Sequence, residues 1–96
     1  MDIERYLAAA CELLAVRSTA DRPADLRRAL GLVVDFAGTG LTVERFESGG
    51  KPSVLLYRGA RRRFQIILNA HLDVVPAPPA QFRPRLEGDR LYARGA

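Results

Sequence analysis

Phe64-Gln65-Ile66-Ile67-Leu68-Asn69-Ala70-His71-Leu72-Asp73-Val74-Val75-Pro76 is the stretch whose reading decides the fold. From Phe64 to Ala70 the residues are of strand type with no polar alternation apart from Gln65, the pattern of a central strand buried on both faces. The run leads without a break into His71, the single histidine of the chain, and Asp73 follows two residues later. In open α/β sheets functional groups collect just past the carboxyl ends of strands, where pairing stops and a crevice opens. His71 and Asp73 occupy that position.

Working outward toward the amino terminus, a doubly covered strand calls for helices and further strands. Between residues 2 and 16, Ile3, Leu7, Cys11 and Leu14 recur on one side with a 3.6-residue period, which predicts an amphipathic helix. Arg17 to Arg22 breaks the period with turn and capping residues, among them Ser18 and Thr19. Pro23 then suits the first position of a second helix, and Asp25 its first turn. Leu26, Leu30, Val33 and Phe36 or Ala37 form its stripe, and Gly38 and Gly40 end it. Leu41 to Glu47 and Ser53 to Tyr57 read as a hairpin around Ser48 to Pro52. On the carboxyl side, Pro76 to Gln81 is too proline-rich for a helix or an inner strand and reads as a partly extended loop. Arg85 to Glu87 and Arg90 to Tyr92 flank Gly88-Asp89 as a second small hairpin. The expected fold is α/β, with two helices followed by a three- to four-stranded mixed sheet, in one domain that spans residues 1–96.

Composition narrows the class of function. With 48% hydrophobic and 27% charged residues, the chain is neither fibrous nor disordered in character. The start, Met1 to Arg5, lacks a signal-peptide pattern and no apolar run is long enough to span a bilayer, so membrane insertion and secretion are disfavoured. The single Cys11 rules out an intrachain disulfide and a cysteine-based zinc site, and fits a reducing, cytoplasmic setting. The net charge of +4 rests almost wholly on arginine, since Lys51 is the only lysine among 15 basic residues. Arg58, Arg61, Arg62 and Arg63 cluster in a turn without interleaved aromatics, which reads as a solvated turn rather than a specific nucleic-acid site.

The chemistry centres on His71. Imidazole is the commonest zinc ligand at neutral pH and binds best when its other ring nitrogen is held by a carboxylate or a carbonyl. Asp73, two residues on along an extended segment, projects to the same side and is placed to orient it. A bare His-x-Asp is nonetheless frequent in strand ends with no metal role. Its context is more specific. The apolar strand, the run Asn69 to Pro76, a proline-bearing loop, Phe82, and then Leu86 to Ala96 resemble, in that order, the amino-terminal part of the M20 metallopeptidase and deacylase family. Acetylornithine deacetylases, succinyl-diaminopimelate desuccinylases, carboxypeptidases and aminoacylases belong to it.

That resemblance implies the first part of a zinc-hydrolase α/β/α catalytic domain, which cleaves amide bonds of N-acyl amino acids or small peptides through a metal-activated water. It implies that His71 binds one of two zinc or cobalt ions and that Asp73 serves the catalytic centre by orienting His71. The run Tyr92 to Ala96 matches the approach to the family's metal-bridging aspartate, which would fall two positions past Ala96. The general base and remaining ligands would also lie further on, so residues 1–96 alone are expected to be inactive and to hold metal poorly. Ala70 and Ala93 stand where glycines are common in the family, and the loop from Pro76 to Phe82 is short and lacks the usual tryptophan, so the acyl group stays open. The alternative is a non-catalytic α/β remnant or binding module, and a cut sheet would offer an apolar surface for self-association.

Overall fold

A computed structural model describes all residues 1–96. Helix α1 (Ile3–Leu14) starts where Asp2 caps it, its Oδ1 accepting from the Arg5 N–H at 3.0 Å. Helix α2 (Pro23–Ala37) opens on Pro23, which has no N–H to leave unsatisfied, and the Arg22 guanidinium pairs with Asp25 at 2.6 Å in that first turn. The two helices meet through Tyr6 and Phe36, whose rings make an edge-to-face contact at 5.2 Å, with the Arg5 guanidinium 4.8 Å from the Phe36 ring. Leu26 and Ala29 are the buried residues of α2, while Leu30 and Val33 are half-buried.

Strands β1 (Thr42–Ser48) and β2 (Lys51–Tyr57) form an antiparallel hairpin in which Ser48 faces Lys51. The connection is therefore two residues long, Gly49 and Gly50, with φ of 58° and 76°. Both positions need positive φ in the turn that matches the strand twist, and glycine reaches it without a Cβ clash. The expected five-residue loop from Ser48 to Pro52 is thus tighter, and Lys51 and Pro52 belong to β2. Strands β3 (Arg85–Glu87) and β4 (Arg90–Tyr92) pair antiparallel as a separate two-stranded sheet. A short 3₁₀-helix, Pro79–Phe82, occupies part of the region expected to be extended. Proline is compatible with the first position of such a turn, and Phe82, buried to 5% exposure, anchors it.

The architecture is two helices with small antiparallel sheets, a mixed α and β fold, and it departs from expectation at the decisive stretch. Phe64 to Ala70 is not a strand, and the sheets are two separate pairs, not one mixed sheet of three or four strands. No backbone–backbone hydrogen bond involves residues 64–73. Ile66, Ile67 and Leu68 are 80%, 67% and 93% exposed. The physical reason is that apolar strand-type composition states what a segment can bury, whereas a strand exists only when a neighbour supplies the ladder. β2 already pairs with β1 on one edge, and its other edge does not bond to this segment. The core is correspondingly thin: Val16, Leu26, Ala29 and Phe82 are its buried apolar residues.

Amide hydrogen exchange will separate the two kinds of segment. The paired amides of β1 and β2 are expected to be protected, and those of residues 65–71 to exchange at close to the rate of an unstructured peptide. Protection of residues 65–71 comparable to that of β1 would show a paired strand and refute the arrangement.

Candidate functional site

His71 and Asp73 are brought together. The His71 Nδ1 lies 3.1 Å from Asp73 Oδ1 and 3.1 Å from the Asp73 carbonyl oxygen. Both partners only accept, so Nδ1 carries the proton and donates to them, which leaves the Nε2 lone pair of the neutral ring free to bind an electrophile. Both side chains are open to solvent, at 84% and 60% exposure. In water-like surroundings this contact orients the ring more than it stabilises the fold.

The position of the pair is set by the segment joining α1 to α2. Ser18, 4% exposed, donates its Oγ–H to the Leu72 carbonyl at 2.8 Å, and its own carbonyl accepts from the Val74 N–H at 3.0 Å. Two bonds from one residue thus bracket Asp73. The neighbouring Thr19 is also buried and donates to Asp21 Oδ1 at 2.6 Å. That hydroxyl, followed by the backbone N–H of Asp21, holds the Asp21 carboxyl below its ordinary value; desolvation opposes, and the charges of Arg22 and Arg17 add lesser lowering effects. Ser18 and Thr19 were expected to cap a helix. Instead Arg22 is the N-cap residue of α2 and makes no side-chain cap bond, and Ser18 ties the linker to the His71–Asp73 segment.

The second motif reaches the same place. Arg94 donates its backbone N–H to the Gln81 carbonyl at 2.8 Å, which joins the β3–β4 unit to the 3₁₀-helix. Phe82 lies under Arg17, whose guanidinium is 5.7 Å from the ring. Gly95, at φ 85°, then comes so close to Val74 that a Cβ there would sit 2.7 Å from Val74 Cγ1. A side chain at position 95 is excluded both by that contact and by the backbone conformation. The end of the chain therefore packs one residue from Asp73. From sequence Ser18 was read only as a capping residue and Gly95 only as part of the Tyr92 to Ala96 run, and the local pattern around each carries no signal of a contact so distant along the chain.

An open apolar groove of about 690 Å³ ends at the pair. Its walls are β2 on one side and residues 64–73 on the other, with Leu26, Leu30 and Val33 of α2 beneath. At the end away from His71, Tyr57 and Phe64 meet edge to face at 5.1 Å. The Tyr57 hydroxyl donates to Glu44 Oε2 at 2.8 Å, and Arg62 reaches the same oxygen at 3.0 Å. The hydrogen bond to that carboxylate, then desolvation and the carboxylate's charge, raise the Tyr57 phenol above its usual value, with Arg62 opposing. No group of three or more histidine, cysteine, aspartate or glutamate side chains is close enough to hold a metal ion. No helix is long and apolar enough to cross a membrane.

Replacing Ser18 by alanine removes one bond to a part-buried carbonyl and is expected to cost about 1 kcal/mol, measured by urea unfolding, with increased amide exchange at Val74. An unchanged midpoint and unchanged exchange would show that the clamp is not what holds the segment. For Asp21, a folded-state pKa below the unfolded one means stabilisation that is present above the unfolded value and lost as pH falls through the folded value. Thr19→Val should therefore raise the Asp21 pKa toward that of an ordinary aspartate in a carboxyl-carbon NMR titration and flatten the acid limb of stability; an unmoved titration would remove Thr19 as the cause. No protein-family model matches the chain and no curated protein does either.

Proposed function

We propose that the chain is the amino-terminal portion of a metal-dependent hydrolase that cleaves amide bonds of N-acyl amino acids or small peptides, of the M20 type its motifs resemble. The observation that carries this reading is the His71–Asp73 pair, with Nδ1 engaged and Nε2 free, held one residue from the packed second motif at Gly95. His71 is the ligand for one zinc or cobalt ion and Asp73 the carboxylate that fixes its tautomer and ring orientation. When bound, the metal supplies a water acidic enough to attack an amide carbonyl near neutral pH. Within residues 1–96, Asp73 holds the proton at Nδ1, and Ser18 holds Asp73 in place through its two neighbours.

The donor set fits one ligand and its orienting partner, and does not fit a whole site. A zinc centre takes three or four protein ligands, and residues 1–96 bring no such cluster together. On this reading the remaining ligands and the general base belong to polypeptide outside residues 1–96, and the working protein is the larger assembly, in a reducing, cytoplasmic compartment compatible with the free Cys11.

Zinc titration by calorimetry and cobalt titration by visible absorption test the assignment on the chain itself. Binding is expected with a Kd weaker than about 1 μM. His71→Ala should abolish it, and Asp73→Asn should weaken it by about ten-fold. N-acyl amino acids should not be turned over at any metal concentration. Metal-dependent turnover by residues 1–96, or binding indifferent to His71→Ala, would overturn the reading.

A further inference from the structure

Residues 58–63 form a loop without regular secondary structure, on which Arg58, Arg61, Arg62 and Arg63 are all exposed. Four contacts brace it. Tyr57 and Phe64, on either side of the loop, close its base edge to face at 5.1 Å. The Thr42 hydroxyl donates to the Gly59 carbonyl at 2.8 Å, beside the positive φ of 79° that turns the chain there. Arg62 pairs with Glu44 Oε2 at 3.0 Å, and the Tyr57 hydroxyl donates to the same oxygen at 2.8 Å. Glu44 is thereby engaged twice, and no carboxylate lies within ion-pair distance of Arg58, Arg61 or Arg63. Three uncompensated guanidinium groups thus share one braced loop.

A guanidinium presents its N–H donors in a fixed fork that matches phosphate oxygens. None of the three lines the apolar groove, so their ligand is one that carries its charges in a row along the outer surface. A nucleic-acid duplex does so, with one negative charge about every 1.7 Å of its axis. Single strands are held in addition by bases stacked on exposed aromatic rings. The loop has no aromatic residue, and Tyr57 and Phe64 at its base are half-buried against each other. An anionic bilayer is the poorer partner, because segments that bind lipid surfaces also insert large apolar side chains, and only Gly59 and Ala60 stand between these arginines. We infer that residues 58–63 are a contact site for the phosphodiester backbone of a nucleic-acid duplex, through Arg58, Arg61 and Arg63 and without sequence preference. That agrees with the lack of a base-reading pattern in the sequence. The contact is independent of metal binding, since His71 lies at the other end of the groove.

The probe is a fluorescein-labelled DNA duplex, and fluorescence anisotropy should show saturable binding to the 96-residue chain with a Kd on the order of 10⁻⁴–10⁻⁶ M at physiological salt. With three phosphates neutralised, the logarithm of the association constant should fall against the logarithm of salt with a slope of about −2.7, a loss of about 40-fold between about 50 and 200 mM. Arg58→Gln, Arg61→Gln and Arg63→Gln should each bring that slope about one unit nearer zero. The variant with all three changes should lose saturable binding. A control variant carries Arg28→Gln, Arg83→Gln and Arg90→Gln, which lower the net charge equally at exposed arginines that also have no carboxylate partner. It should keep the parent's slope. None of the six side chains makes an ion pair in the fold, so circular dichroism should be the same in every variant. Absence of binding, a slope indifferent to the loop substitutions, or an equal loss in the control variant would each overturn the proposal. So would a preference of more than about ten-fold between duplexes of unrelated sequence, which is the mark of base readout. Binding to vesicles of phosphatidylserine and phosphatidylcholine that duplex fails to displace would overturn it as well, and would identify lipid as the partner.

Discussion

The pair of hydrogen bonds at Ser18 is the constraint on which the rest of the arrangement depends. Residues 64–73 receive no backbone support from any strand, and this part of the chain is held at Leu72 and Val74, where Ser18 bonds to both. Because Ser18 is 4% exposed, neither bond competes freely with water. Val74, so held, becomes the surface against which Gly95 packs. The linker between the helices, the His71–Asp73 segment and the end of the chain are therefore connected in series. Phe82 under Arg17 is a second, apolar tie between the same linker and the carboxyl-terminal part.

Energetically the fold leaves a large opportunity unused. Six of 96 residues are buried, so little of the chain's hydrophobic content contributes to stability. Ile66, Ile67 and Leu68 are each more than two-thirds exposed or close to it, at 80%, 67% and 93%. Full burial of a side chain of this type is worth about 1.5–3 kcal/mol. Three in succession are comparable with much of the net stability of a small domain. None of that is gained in this arrangement, because no other segment covers these side chains.

What could be read from sequence divides along the range of the interactions. The helices were legible because a 3.6-residue apolar period and Pro23 at a first turn act within a few residues, whereas the cap that Asp2 supplies to α1 was not singled out. The hairpins were legible for the same reason, although Gly49-Gly50 closes the first more tightly than the composition of Ser48 to Pro52 indicated. Phe64 to Ala70 was read as a central strand because its composition is that of one, but pairing is a relation between segments and no neighbour is present. Its exposure is the physical form of that missing relation. The closeness of His71 and Asp73 was legible from their spacing, whereas Ser18, 54 residues from Leu72, and Gly95 against Val74 were not, since nothing local distinguishes a clamping serine from a capping one.

The site and the groove bear on each other through solvent. At 84% and 60% exposure, the His71–Asp73 contact operates in a medium close to water, where a hydrogen bond competes with bonds to solvent. The same hydrogen bond is electrostatically stronger where water is excluded. His71, Leu72 and Asp73 line one end of the groove, so an occupant there changes the medium around the pair even without touching it. An orienting carboxylate is most effective when water is excluded from its hydrogen bond, because the alternatives it must outcompete are then fewer. Residues 1–96 thus fix the geometry of the pair, by Ser18 holding Leu72 and Val74 and by Asp73 holding Nδ1, while the exposure of both side chains leaves their contact in a medium close to water.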